Sequence, residues 1–167
     1  MINELEYREQ TIIEIAKKMA LAARTAPKGR GRNTIETLIA TKSDIEGIAA
    51  QMDKIASEKN QGFFTRDANN IRNCDAVLFI GTKIDTLKLP YCGFCGLENC
   101  ETKDLHTDVP CTFNTVDLGI AIGSAVSIAA DNRIDNRVLF SAGKAVQELE
   151  IFDKDIKVIF GIGLSAS

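Results

Sequence analysis

The sequence predicts an α/β or α+β fold, a sheet sandwiched between helices, in one domain over residues 1–167. Segments with the apolar spacing of helices alternate along the chain with short apolar runs that are typical of strands. The hydrophobic fraction of 45% and the charged fraction of 26% are those of a soluble globular protein. A chain of 167 residues is also long enough to bury a core of its own.

The N-terminal part predicts a long helix followed by a short strand. In residues 4–24, isoleucine, methionine and alanine recur at helical spacing, with glutamate and lysine on the opposite face. Pro27 cannot continue a helix, so this helix is expected to end before it. Residues 34–40 are rich in isoleucine, leucine and threonine, which favours a strand.

A second helix and a second strand are predicted next. Ser43 followed by Glu46 forms a capping box, which starts a helix that extends to residue 58. We expect residues 60–73 to form a loop with at most one helical turn. Residues 75–81 are a continuous apolar run bounded by polar residues, and they predict a buried strand.

The remainder of the chain predicts a cysteine-rich insertion and the second half of the fold. Residues 82–112 have little periodicity, so we expect them to form an insertion within the domain. Residues 114–133 predict a helix that is apolar on nearly all sides and should lie in the centre of the molecule. A strand at 137–141, a short helix at 143–148 and a final strand at 156–164 complete the prediction.

Charge and composition argue against several functions. The net charge of −3 gives no general attraction to nucleic acid or to an anionic membrane. The longest apolar stretch, residues 118–130, is too short to span a bilayer. The polar N-terminus lacks a secretory signal, so we expect a cytoplasmic protein. A single histidine leaves no Ser-His-Asp or Cys-His nucleophile to assemble, and no catalytic residue is assigned.

The most informative motif is a group of four cysteines with the spacing C-x2-C-x4-C-x10-C. Its members are Cys92, Cys95, Cys100 and Cys111. Clustered cysteines in a chain without a secretory signal favour metal or redox chemistry over structural disulfides. Soft thiolate ligands select an iron–sulfur cluster or zinc. We therefore predict that these four residues are the ligands of one metal centre.

The sequence favours a [4Fe–4S] cluster and keeps zinc as the alternative. Gly93 and Gly96 each follow a cysteine directly, which lets backbone N–H groups approach the sulfur atoms. Cys111 precedes a predicted helix, whose positive end would stabilise the negative charge of a cluster. Zinc ribbons have two C-x2-C pairs, whereas the second pair here is separated by ten residues. Another cluster type, or no metal, also remains open.

Three other features have simpler interpretations. Cys74, the fifth cysteine, begins an apolar run and is interpreted as a small buried hydrophobe. His106 lies between the third and fourth cysteines and is interpreted as a bystander rather than a ligand. Asp153 and Asp155 fall in a predicted turn and are interpreted as surface charge.

A cationic loop that contains glycine follows the first predicted helix. Its basic residues are Arg24, Lys28, Arg30 and Arg32, with no acidic residue among them. Such a loop can cradle a phosphate through bidentate arginine contacts, although a solvated surface turn has the same composition. Lys144, where a strand meets a short helix, is a second candidate phosphate contact. Neither stretch has the spacing of a P-loop.

Several motifs carry a resemblance to known families. Residues 26–31, 92–96, 110–111 and 117–125 resemble a family of prokaryotic proteins of uncharacterised activity that contain a ferredoxin domain. The order of the predicted elements, and the stretch Ala-Arg-Thr-Ala-Pro-Lys-Gly-Arg-Gly-Arg-Asn at residues 23–33, also resemble the nitroreductases, whose fold binds FMN.

The resemblance implies a nitroreductase-like fold with a central mixed sheet, flanked by helices and interrupted by the cysteine-rich metal-binding insertion. It also implies a homodimer with FMN at the interface, in which the helix from residue 114 forms part of the dimer core. Some of the five basic residues named above would then hold the flavin phosphate.

Two functions compete on this evidence. The favoured one is a cytoplasmic redox protein in which a [4Fe–4S] cluster exchanges electrons with a flavin, and a flavin-dependent oxidoreductase activity stays open. Its electron donor or acceptor is unknown, and neither nucleic acid nor a membrane is an expected partner. The alternative is a non-enzymatic interaction or assembly protein, stabilised by a structural zinc or cluster.

Overall fold

The computed structural model describes residues 1–166 and shows a four-stranded sheet between two layers of helices. The elements are α1 (Glu4–Thr25), β1 (Ile35–Thr41), α2 (Lys42–Lys59), α3 (Phe63–Arg72), β2 (Ala76–Lys83), α4 (Cys100–Asp104), α5 (Thr112–Asp131), β3 (Asp135–Leu139), α6 (Phe140–Glu148) and β4 (Ile156–Ser165). A single 3-10 turn, Gly29–Gly31, lies between α1 and β1. The predicted fold class is confirmed.

The strands are arranged in the order β1-β2-β4-β3, and each neighbouring pair in the described residues is antiparallel. The prediction of a mixed sheet is therefore wrong. Two helices, α2 and α3, connect β1 to β2, and the single helix α6 connects β3 to β4, and both pairs of strands are antiparallel.

The core is divided into two parts by the sheet. In β2, Val77 and Phe79 face α2, α3 and α6, while Leu78 and Ile80 face α1 and α5. Each full burial of a large apolar side chain stabilises the fold by about 1.5–3 kcal/mol. The two halves of the core together fix the helices on both faces of the sheet.

Residues 60–73 were expected to form a loop, and instead they contain the ten-residue helix α3. Its buried face holds Phe64, Ala68 and Ile71, but also the carboxylate of Asp67. The hydroxyl of Ser141 donates to Asp67 at 2.6 Å and ties α3 to α6. The helix also begins at Gly62 without a side-chain cap, so its start has no local signal in the sequence.

The second helix begins earlier than the sequence suggested. Thr41 is its N-cap residue, and the Thr41 N–H donates to the Asp44 carboxylate at 2.9 Å. The predicted capping pair, Ser43 and Glu46, lies two residues C-terminal to this observed pair. The Glu46 carboxylate instead forms an ion pair with the guanidinium of Arg72 in α3, at 3.1 Å.

Helix α5 lies on one face of the sheet rather than in the centre of the molecule. It packs against α1 and β2 through Leu118, Ala121 and Ala125. Its outer face is apolar but exposed, and it includes Val116 and Ile120. Among the described residues it is the one helix long and apolar enough to cross a membrane, and this packing is that of a core helix.

Candidate functional site

The four cysteines of the motif line one small cavity of about 10 Å³. Cys92 and Cys95 come from the irregular segment before α4, Cys100 is the first residue of α4, and Cys111 is the N-cap residue of α5. All four are free thiols. The structure therefore brings the predicted ligand set together around a common space.

Two glycines shape the loop that carries Cys92 and Cys95. Gly93 and Gly96 have φ angles of +74° and +85°, a region that residues with a side chain rarely adopt. The Gly96 N–H donates to the Gly93 carbonyl at 2.9 Å and closes a tight turn around Cys95. The two Cys-Gly pairs in the sequence are thus explained by the conformation of the loop.

The other two cysteines are positioned by helix starts. The Asn99 side chain accepts a hydrogen bond from the Thr102 N–H at 2.8 Å, which fixes Cys100 at the first position of α4. The carbonyl of Cys111 accepts the Asn114 N–H at 3.0 Å, and no side chain caps this end of α5 in the described residues. A negative charge at Cys111 would be stabilised by the positive end of a 20-residue helix.

The four thiols line a common space, and four thiolates are the ligand set of a tetrahedral zinc as well as of a [4Fe–4S] cluster. Within residues 1–166, no three Cys, His, Asp or Glu side chains form a group that could hold one metal ion. The choice of a [4Fe–4S] cluster over zinc therefore stays a prediction. His106 is exposed and is not part of the cavity wall.

The cationic loop holds the segment that leads to the cysteines. Arg32 donates to the Thr86 carbonyl at 2.8 Å and pairs with the Asp85 carboxylate. Arg30 donates to the Leu87 carbonyl at 3.0 Å. Hydrogen bonds from charged donors contribute about 1.5–3 kcal/mol each. The two arginines therefore act as an anchor between the loop after α1 and the start of the cysteine-bearing segment.

The same loop is fastened to α5. The Gly29 N–H donates to both carboxylate oxygens of the buried Asp117, at 3.1 and 3.0 Å. A Cβ atom at Gly29 would lie 2.3 Å from a terminal methyl group of Leu87, which would have to shift to admit it. Asp117 thus links the cationic loop to the helix that begins at Cys111.

Of the five basic residues predicted to contact the flavin phosphate, four lie close together in the structure and one lies apart. The four basic residues of the loop lie around the end of α1, whereas Lys144 lies in α6, in the other helical layer, and donates to Gln147 at 2.7 Å. Lys28 donates to three carbonyls at the end of α1, and burial together with the nearby Arg24 lowers its pKa. Arg24 alone among the four forms no side-chain hydrogen bond or ion pair in the described residues. Their role in flavin binding stays a prediction.

Sequence reasoning missed three buried polar residues near the cavity. They are Lys103, Asn114 and Asp117. The Asn114 side chain accepts the Asp85 N–H at 2.8 Å, and its amide nitrogen has no partner in the described residues. A polar residue inside an otherwise apolar helix indicates a buried hydrogen bond, so Asn114 and Asp117 could have been found from the sequence. Lys103 had no such signal.

Cys74 lies apart from the cavity, between α3 and β2. Its thiol donates to the Asn70 carbonyl at 3.4 Å. Burial raises the pKa of Cys74 to about 11, so it remains a thiol at neutral pH. A Cβ atom at Gly163 would lie 2.8 Å from its sulfur, which shows how tightly it is packed. These contacts support the interpretation of Cys74 as a structural residue.

Comparisons with known proteins give a family and a fold. The family described as "Uncharacterized protein containing a ferredoxin domain (DUF2148)" matches residues 107–167. An uncharacterized protein from Archaeoglobus fulgidus is 37% identical over 173 aligned positions, which cover 99% of this chain and 92% of that protein.

Solved structures of nitroreductases resemble the whole domain. Nitroreductase CinD from Lactococcus lactis, in complex with nicotinic acid, matches with a TM-score of 0.65 and 12% identity, covering 95% of this chain and 78% of that one. A nitroreductase with bound FMN from Bacteroides fragilis matches with a TM-score of 0.62 and 9% identity, covering 92% and 76%. At these identities the likeness shows a nitroreductase-like fold.

Proposed function

Because this chain belongs to the family of proteins that contain a ferredoxin domain, we propose that it is a redox protein whose four clustered cysteines hold a [4Fe–4S] cluster. The observation that carries the proposal is that Cys92, Cys95, Cys100 and Cys111 line one cavity at the start of α5. When bound, a cluster of this kind supplies one-electron transfer. The chain supplies four thiolates, the positive end of α5 and a loop fixed in place by Arg30 and Arg32.

We also propose that the fold binds FMN and that the cluster and the flavin exchange electrons. A nitroreductase with bound FMN shares the fold, which supports this part of the proposal. The candidates for the phosphate contact are Arg24, Lys28, Arg30, Arg32 and Lys144. Arg24 is the most available of them, because the other four donate to protein acceptors.

Replacing Arg30 and Arg32 with glutamine separates an anchoring role from flavin binding. We expect the double variant to lose iron to a chelator at least about tenfold faster, because 1.4 kcal/mol corresponds to a factor of ten and two charged hydrogen-bond donors are removed. FMN affinity should change by less than about threefold, since both side chains are turned toward the Asp85–Leu87 segment.

The measurements are iron release under anaerobic conditions and FMN titration by fluorescence. Arg24→Gln is the matched control for iron release, because it removes a guanidinium from the same loop without breaking a side-chain hydrogen bond or ion pair in the described residues. Its FMN affinity should fall, because Arg24 is the most available candidate for the phosphate contact. Iron release that stays at the rate of the unmodified protein, together with a loss of FMN affinity in the double variant, would instead assign Arg30 and Arg32 to the flavin phosphate.

We further propose that the outer face of α5 is the interface of a homodimer. Val116 and Ile120 on this face are 48% and 40% exposed, and the exposed Gly119 and Gly123 of the same helix are small enough for close approach. The two acidic residues of the helix lie elsewhere, Asp117 buried and Asp131 at the last position. An extended apolar helix face is costly to leave in water, and a second copy would cover it.

A charge on this face should separate the two copies. Ile120→Glu is expected to weaken the dimer at least about a hundredfold, because a buried uncompensated charge costs about 3–5 kcal/mol. Ile151→Glu, at an exposed apolar residue after α6, is the control and should leave the dimer intact. Sedimentation velocity measures both, and a wild-type protein that is monomeric at about 100 µM would contradict the proposed interface.

The proposal also covers the domain organisation of the protein, its location and its partners. We propose that residues 1–167 act as one domain, with the cysteine-rich segment 82–112 as an insertion within it. The proposed location is the cytoplasm, and the proposed partner is an electron donor or acceptor protein rather than nucleic acid or a membrane. The net charge of −3 supports the exclusion of nucleic acid.

A further inference from the structure

Lys103 is a buried lysine in the wall of the cysteine cavity. The residue is 3% exposed and is one of the residues that line the cavity. Within residues 1–166 its side chain forms no hydrogen bond or ion pair with the protein. Lysines are almost never this buried unless their charge is paired, because removing an ammonium group from water is expensive. Lys103 is therefore unusual, since it is largely buried and no carboxylate of the described residues pairs with it.

Among the described residues that line the cavity, Lys103 is the one with a formal positive charge, and none is acidic. Besides the cysteines, the wall consists of Thr86, Gly93, Asn99, Thr112 and Phe113. The neighbouring Asp104 is exposed and accepts a hydrogen bond from the Thr86 hydroxyl at 3.0 Å. Within the wall of the cavity, a negative charge for Lys103 can come from the thiolates or from an anionic group that they bind.

Helix α4 fixes Lys103 relative to a cysteine ligand. The Lys103 N–H donates to the Asn99 carbonyl at 3.0 Å, and the Lys103 carbonyl accepts the His106 N–H at 2.8 Å. Lys103 follows Cys100 by three residues, so both lie on the same face of the helix. One short helix thus carries two of the residues that line the cavity, a cysteine and a largely buried lysine.

We propose that Lys103 is the internal counter-charge of the cluster and raises its reduction potential. This inference rests on the proposed function. In the reduction step, one electron passes from a donor, which is oxidised, to the thiolate-bound cluster, which is reduced, and no proton moves. The product is more negative by one charge, so a buried ammonium group stabilises it more than the reactant. Net charge and buried surroundings are the established determinants of cluster potentials.

Lys103→Met tests the proposal, because it removes the charge and keeps an unbranched apolar stem. The variant is expected to favour the oxidised form at least tenfold more than the wild type, a fall of 59 mV in midpoint potential for a one-electron couple. Lys103→Arg keeps the charge and should shift the potential by less than half of that amount. Lys88→Met removes an exposed lysine from the preceding segment and is the matched control, with no measurable shift expected.

The measurement is a redox titration with mediator dyes, followed by electron paramagnetic resonance of anaerobic protein. Iron and sulfide are quantified in each sample, so that only fully loaded variants are compared. A midpoint potential in Lys103→Met equal to that of the wild type, at equal cluster content, would overturn the proposal.

A second measurement separates this proposal from the proposed function. In metal-free protein, Lys103→Met removes a buried charge that lacks a carboxylate partner, so its melting temperature should rise above that of the metal-free wild type. In cluster-loaded protein the order should be reversed. If the wild type binds no iron or sulfide, the proposed function fails, and the metal-free comparison still reports on Lys103. A lower melting temperature of metal-free Lys103→Met would mean that its stem matters for packing, and would refute the counter-charge role.

Discussion

Replacing Cys92 and Cys95 with serine is expected to abolish cluster binding and leave the fold intact. The hydroxyl of serine is a poor ligand for iron, and the variant retains only two of the four thiolates. Both residues lie outside the two hydrophobic clusters that hold the helices on the sheet. Iron and sulfide after anaerobic reconstitution should therefore fall from about four of each per chain to less than about one, with an unchanged far-ultraviolet circular dichroism spectrum.

Cys74→Ser is the matched control for this variant. It makes the same chemical change at a thiol whose pKa is raised to about 11 by burial, away from the cavity. The control should retain its full iron and sulfide content. A double variant that still binds four irons would exclude Cys92 and Cys95 as ligands. A double variant that unfolds would point to a structural metal, on which the fold itself depends.

The largest effect on stability is expected for Gly143→Ala. A Cβ atom at Gly143 would lie 1.9 Å from the Ile159 carbonyl oxygen, where α6 packs directly on β4. Two backbones would have to separate to admit it, and overpacking of this kind costs about 3 kcal/mol. Urea unfolding, followed by circular dichroism, measures the change in the free energy of unfolding.

Gly47→Ala makes the same substitution in α2 without a clash, because no atom lies within 4 Å of the added Cβ position. It should stabilise the protein by about 0.5–1 kcal/mol, since glycine is unfavourable inside a helix. Equal stabilities of the Gly143→Ala and Gly47→Ala variants would show that α6 does not approach β4 as closely as described.

The fold could be predicted wherever its signals are local. Apolar periodicity located α1, α5 and the two central strands within a few residues of their ends. Helix α3 could not be predicted, because Asp67 on its buried face has the sequence signature of a surface residue. Its partner, Ser141, is 74 residues away, so only the folded structure shows that the carboxylate is paired.

The same distinction between local signals and long-range contacts applies to the candidate site. The cysteines could be identified because their chemistry and spacing are contained within one short segment. The cationic loop could not be interpreted, because a run of arginines looks the same whether it faces water, phosphate or carbonyl groups. Arg32 contacts Asp85, 53 residues away, and Gly29 contacts Asp117, 88 residues away. These long-range contacts show that the loop anchors the cysteine-bearing segment. Its role in phosphate binding stays a prediction.

The most direct test of the proposed function is to quantify iron, acid-labile sulfide, zinc and FMN in one anaerobically purified sample of the full chain. We predict about four irons and four sulfides per chain, with FMN released on denaturation. The ultraviolet–visible spectrum of the same sample should show the broad visible absorbance of an iron–sulfur protein. A colourless protein with one zinc per chain and no flavin would contradict the redox function and leave a zinc-stabilised interaction domain.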